Sequence, residues 1–152
     1  MYNGKLVFFK LKSGDFDWDT LEDIKKHGFK VGTDRGDISF SELQSAGVYV
    51  QGLGNYEINF KKLLYKRIDA VSMDQLSGMN VINKMSKEDQ DKIVVHPKPY
   101  RESPTYTMFS KIHPKGQYYR DKLDSGLRKL KASGKFDNML SDLYSGGYSI
   151  SD

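Results

Sequence analysis

No cysteine occurs in the 152 residues, which excludes disulfides, thiolate metal sites and cysteine nucleophiles. Long apolar runs are missing too. The longest candidate, "LVFF" at 6–9, is a strand's worth, far short of the roughly 20 residues a membrane-spanning helix needs. The amino end carries no cationic, then apolar, then small-residue leader, so no signal peptide is visible. No run of five or six basic residues appears, and the net charge of +4 is spread among interspersed Asp and Glu, so nucleic acid is not an expected partner. No G-x-S-x-G, phosphate-cradling or dinucleotide-binding glycine motif is present. His27, His96 and His113 stand far apart without metal-ligand spacing. No nucleophile, base and orienter can be assembled, and neither metal nor cofactor is implied. The chain reads as a non-enzyme.

What is there is a globular composition, 38% hydrophobic, 29% charged and 12% aromatic, about one domain in length. "KLVFFKLK" at 5–12 predicts a strand. A helix follows with Asp17 or Asp19 as cap and Trp18, Leu21 and Ile24 recurring toward a core until Gly28. Next come a strand at 29–33, a helix at 37–47 with Phe40 and Leu43 inward, and a strand at 48–51. A helix capped by Asn55 places Ile58, Leu63 and Leu64 toward a core. The "IDAVSM" strand, a helix over 75–83, a mixed-charge loop or helix at 87–92 and "KIVVHP" at 92–97 complete the series. Short strands alternating with helices mean βαβ crossovers, hence an α/β fold whose parallel-rich sheet is flanked by helices. The last third differs. A strand is predicted over 103–111 with Pro104 near its beginning, then two helices over 114–134 and 135–144 and a frayed tail, "SGGYSISD". Tyr118, Tyr119 and Tyr144 are expected in a core or lobe contact.

In an open parallel sheet, ligands bind beyond the carboxyl ends of the strands. Two loops qualify. "TDRGDIS" at 33–39 and "MDQLS" at 73–77 each follow a strand and open a helix, where backbone N–H groups attract anions and carboxylates attract cations. Asp74 is a helix cap or a receiver of a ligand's ammonium or hydroxyl, and the two roles can coexist on different oxygens. Asp69, at the start of its strand, is assigned to structure. Arg35 is a solvated cation or a fork aimed at an anion. Asp37 is more often the cap of the following helix than a ligand.

Three stretches carry a family resemblance. "TLEDIKKHGFKVGTDRG" at 20–36, "LLYKRIDAVSMDQ" at 63–75 and "GLRKLKASGKFDNMLSDLY" at 126–144 resemble, in order and spacing, the second part of the family 3 periplasmic solute-binding proteins, which serve polar amino acid uptake by ABC transporters. The second stretch is similar to the family's "aL-x-x-G-r-x-D-A-v-x-x-D". The resemblance implies a two-lobed α/β clamp of the type II periplasmic binding protein kind. Residues 1–11 would be a hinge strand and 12–105 the second, solute-binding lobe. Residues 106–152 would form a return strand and helices belonging to the first lobe, most of which has no counterpart here, as in a truncated form. Ligand contacts carried over by position are Asp37 and Ile38 following Gly36, and Asp74, the last holding an α-ammonium in amino-acid binders. With Arg35 from the loop itself, the candidate ligand-binding residues are Arg35, Gly36, Asp37, Ile38 and Asp74.

One departure bears on the ligand. The family's Gly-Thr-Thr or Gly-Thr-Ser is here Gly36-Asp37-Ile38, so an anionic group beside Asp37 would be repelled, which counts against an ordinary α-amino acid. The expected ligand is a cationic, amine-bearing or neutral solute, or ligand binding has been lost altogether. The expected function is an extracytoplasmic, periplasmic solute-binding component working with an ABC permease in the intact protein. The alternative is a ligand-sensing domain of a receptor or regulatory protein. Leu123, Leu127, Leu130, Phe136, Met139 and Leu143 would face water without the partner lobe, so the helices are expected to fold back or to pair two chains in a homodimer.

Overall fold

The computed structural model describes residues 2–52 and 54–144, and the tail expected to fray lies outside them. The chain divides into a larger unit, Lys5–Glu102, and a smaller one made of Met1–Gly4 and Ser103–Asp152.

The larger unit is built on a sheet. Its elements in chain order are β1 (Tyr2–Leu11), α1 (Leu21–Lys26), β2 (Lys30–Thr33), α2 (Ile38–Ser45), β3 (Tyr49–Gly52), α3 (Tyr56–Leu64), β4 (Ala70–Asp74), α4 (Gln75–Asn83), α5 (Lys87–Gln90) and β5 (Ile93–Val95). The strand order is β3-β2-β4-β1-β5, with β6 (Arg101–Thr105) paired to β1. β2 runs parallel to β3 and β4, whereas β1 lies antiparallel to both β4 and β5. Four strands therefore share one direction and β1 opposes them, so the sheet is mostly parallel, flanked by helices.

β1 explains why the sheet has two cores. Val7, Phe8 and Phe9 are all buried, a continuous apolar run of the kind that fills a strand covered on both faces. Side chains alternate across a strand, so Phe9 joins Val7, Phe60, Leu63, Val71, Met73 and Ile82 on the α3–α4 side. Phe8 joins Phe16, Trp18, Ile24, Val31, Leu43 and Ala70 on the α1–α2 side. Across the sheet Asp69 fixes the β2–β4 register. Its carboxylate accepts from Lys30 N at 2.7 Å while its own N–H donates to Lys30 O at 2.8 Å, at the end of β4 opposite Asp74.

Helix boundaries follow their caps. Thr20, not Asp17 or Asp19, opens α1. Thr20 and Asp23 form a reciprocal capping box, which satisfies two orphan N–H groups at once, and Trp18 is buried in the segment before it. Asp17 is committed elsewhere, accepting from Trp18 N and from buried His96 Nε2, both at 2.9 Å. That pair fastens the β1–α1 connection to the chain after β5. Asp37 and Asn55 cap α2 and α3 as expected, and Gly28 and Gly47 end α1 and α2 at positive φ, 69° and 79°. Phe40 is only half-buried, while Ser39 takes a fully buried place on α2, and Ile58 is 44% exposed with Asn59 and Phe60 inward instead. Lys66 adopts φ 55°, the left-handed conformation, at the place where the resembled pattern carries glycine.

In the smaller unit β6 stops at Thr105, so Pro104 lies at its end; lacking an N–H, it suits the close of a ladder. Residues 106–111 are not strand. α6 (Gly116–Ala132) and α7 (Lys135–Tyr144) follow. Leu123, Leu127, Leu130 and Phe136 are half-buried, while Met139 and Leu143 are exposed at 47% and 38%. Tyr118 and Tyr119 are exposed as well, contrary to the expectation for them. Among the described residues no helix is long and apolar enough to cross a membrane.

Two measurements test this packing. A Cβ on Gly78 would lie 2.2 Å from Phe9 Cζ, and Phe9 is fully buried. Overpacking of this kind costs ~1–3 kcal/mol against a helix-propensity gain of about 1 kcal/mol. Gly78→Ala should lower the urea midpoint, and an unchanged or higher midpoint would contradict the packing. The hydrogen bond from His96, then that from Trp18 N, holds the Asp17 carboxyl below its ordinary 3.8. A lowered carboxyl stabilises above its unfolded-state value and loses that contribution as pH falls through the folded one. Asp17→Asn should therefore lower stability at neutral pH and flatten its fall below about pH 4, read from thermal melts across pH.

Candidate functional site

The carboxyl ends of β2 and β3 lie level, Thr33 pairing with Gly52. β4, in register through Gly32 and Val71, runs two residues further to Asp74, so the loops after these strands emerge along one rim. This brings the Gly36 bend and Asp74 to the same edge of the sheet.

Each loop is held by its own side chains. After β2, Asp34 Oδ1 accepts from Gly36 N at 3.2 Å and Asp34 O from Asp37 N at 3.1 Å, a tight turn ending in the α2 cap. Asp37 Oδ1 accepts from Ser39 N at 2.9 Å, and Ile38 stands 51% exposed beside it. Beneath this loop the hydroxyls of Thr33 and Ser39, both fully buried, lie 3.0 Å apart, and Asn59 Nδ2 donates to Thr33 O at 3.2 Å. After β4, Asp74 caps α4, with Oδ1 accepting from Ser77 N and Ser77 Oγ, both at 2.9 Å. Among the described residues Oδ2 receives no hydrogen bond. The cap role thus leaves one carboxylate oxygen at the rim uncommitted.

Arg35 is not extended from the loop as a free fork. Its Nε donates to Gly52 O at 3.1 Å, and its stem crosses β3 so closely that a Cβ on Gly52 would lie 2.4 Å from Arg35 Cγ and 2.5 Å from the Phe40 ring. The glycine is what admits the arginine.

Tyr56, the first residue of α3, was not singled out from sequence. Its phenol is pushed up from the ordinary 10.0, first by partial burial and then by the fields of Asp34, Asp37 and Asp74. Three carboxylates from two loops therefore act on one hydroxyl, and the rim is electronegative. Helix-start position directly after Asn55 was the only sequence signal for Tyr56, and for Asp34 only its place in "TDRGD". Among the described residues no group of His, Asp and Glu side chains is arranged to hold a metal ion. A groove of about 1110 Å³ lies in the smaller unit, lined by residues such as Phe109, Arg120, Leu123, Leu127 and Arg128, and shares no residue with the rim.

No protein-family model matches the sequence, and no curated protein matches it either. Solved structures do. An ancestral cationic amino acid solute binding protein matches with TM-score 0.71 at 18% identity, over 97% of this chain and 59% of its own. The fold is that of the amino-acid solute-binding proteins. A second substrate binding domain from Streptococcus pneumoniae, assigned to an amino acid ABC transporter, matches with TM-score 0.66 at 21% identity, over 94% of this chain and 62% of its own. The GluR0 ligand-binding core from Nostoc punctiforme, in complex with L-glutamate, gives TM-score 0.62 at 19% identity over 97% and 62%. The chain thus spans about three fifths of the length of these solute-binding folds.

The convergence of carboxylates on Tyr56 is directly measurable. Neutralising two of them in Asp37→Asn/Asp74→Asn should move the Tyr56 titration down while burial keeps it above 10.0, read by NMR with carbon-labelled tyrosine. An unmoved Tyr56 would separate it from both carboxylates.

Proposed function

We propose that this chain carries the solute-receiving lobe of an extracytoplasmic solute-binding protein for a small polar, amine-bearing solute, acting by binding rather than catalysis. The observation that carries the reading is the shared rim, with Asp74 keeping one carboxylate oxygen unused beside the Gly36–Ile38 turn. Asp74 would take the ammonium, with Asp37, Ile38 and Gly36 lining the same edge. Arg35, bound to Gly52 O, would shape the turn more than grip an anion.

In this reading residues 12–105 are the receiving lobe, 1–11 and the segment after Thr105 its links to a first lobe, and α6 and α7 part of that lobe. The intact protein would sit in the periplasm and hand its solute to an ABC permease. Pairing of two copies through α6 and α7 belongs to the same proposal, supported by the exposure of Met139 and Leu143. A ligand-sensing domain of a receptor is the second reading, favoured by the likeness to the GluR0 ligand-binding core. Binding chemistry is common to both, and attachment to a membrane-spanning segment would distinguish them.

A thermal-shift and calorimetric screen with L-arginine, L-glutamine, L-glutamate and putrescine tests the charge preference. A ligand at 100 times its Kd adds about 2.7 kcal/mol to stability. Amine-bearing cations should shift the melt most and L-glutamate least. Asp74→Asn should weaken the tightest binder at least tenfold, as expected when a charge-assisted bond worth ~1.5–3 kcal/mol is lost. A preference for L-glutamate, or an Asp74→Asn variant that binds normally, would overturn the assignment.

A further inference from the structure

Glu42, in the middle of α2, uses both carboxylate oxygens on a segment almost 60 residues away. Oε2 accepts from the Tyr100 hydroxyl at 2.7 Å, and Oε1 accepts from Arg101 Nη2. Neither partner is loose. Tyr100 N donates to Leu6 O at 2.8 Å, and its ring meets Phe8 and Trp18 at 5.4 and 5.9 Å. Burial, then the bond to Glu42, pushes the Tyr100 phenol well above its ordinary value. Arg101 is the first residue of β6, the strand along which the chain leaves the larger unit after Glu102.

We propose that Glu42 is a positioning residue that couples α2, and with it the Asp37–Ile38 turn, to the outgoing strand β6. A lone exposed ion pair would not do this, since such pairs contribute little. Here the side chains are 33% and 40% exposed, and a phenol fixed in a core shares the carboxylate. Charge-assisted bonds of this sort are the stronger kind. At its amino end α2 is tied to the sheet by the Thr33–Ser39 hydroxyl pair. Glu42 adds a tie one turn further along, to a different strand. Ser39 and Leu43 set the inner face of the helix, and Glu42 sets where its flank sits relative to β6. On the reading proposed above, the α2 amino end meets the solute, so the tie would carry that contact to Arg101. The coupling itself is measured without solute, so its failure is separate from a failure of that reading.

The test is native-state amide exchange on the full chain for wild type, Glu42→Gln, Arg101→Gln and the double variant. Each single change should speed exchange in α2 and at residues 100–102 about tenfold while β2 and β4 keep wild-type rates. The double variant should add little to Glu42→Gln alone, because both changes remove the same Glu42–Arg101 bond, while the Tyr100 hydroxyl bond is untouched by Arg101→Gln. Exchange in α2 that stays at the wild-type rate in Arg101→Gln, or effects that simply add, would overturn the proposal. Should Arg101→Gln fail to fold, Tyr100→Phe, which removes one hydroxyl, serves in its place with the same two outcomes.

Discussion

Phe8 and Phe9 stand next to each other on β1, yet belong to different cores, and the architecture rests on that division. Both are fully buried. Burying such a side chain is worth about 1.5–3 kcal/mol, and a strand can satisfy two of them in sequence only if helices cover both faces. β1 must therefore be interior, between β4 and β5, with α3 and α4 on one side and α1 and α2 on the other. The antiparallel register, with Phe8 opposite Ser72 and Phe9 opposite Val71, then positions β4. Its last residue, Asp74, stands opposite Leu6 at the edge, level with the loops after β2 and β3. The location of the rim is a consequence of packing two rings on opposite faces of one strand.

Electrostatics at that rim follow from local chain economy. Asp34, Asp37 and Asp74 each hold a backbone N–H of the turn or helix they begin. All three are on hand for structural reasons, and their fields add at Tyr56. The nearby cation, Arg35, is drawn toward a β3 carbonyl. A negative edge results without any residue that lacks a structural task, which is why capping and ligand contact are not competing accounts of Asp74.

Much of this was legible in the residues because the signals were local. Asp37 and Asn55 announced their helices, Gly28 and Gly47 ended theirs, and "IDAVSMDQ" gave both a buried strand and its terminal carboxylate. What escaped depended on distant partners. Asp17 looked like a cap, but His96, 79 positions away, claimed its carboxylate, and Thr20 opened the helix with Asp23 instead. Ile58 has the right hydrophobicity and the wrong angle on α3, where buried Asn59 reaches Thr33 O. Helix-forming periodicity gave no warning that β1 would run against its neighbours, since strand direction is decided by the sheet. Likewise Glu42, Tyr100 and Arg101 are unremarkable in sequence and acquire meaning only where α2 and β6 approach.

Gly52 has a bearing on how this edge could diversify. Arg35 lies where a Cβ at position 52 would sit, so any larger residue there would evict the guanidinium stem from its berth on β3. The displaced cation would then be swung outward next to Asp34 and Asp37, cancelling part of their field. A methyl group on an edge strand would thereby weaken the negative charge that the neighbouring turn presents.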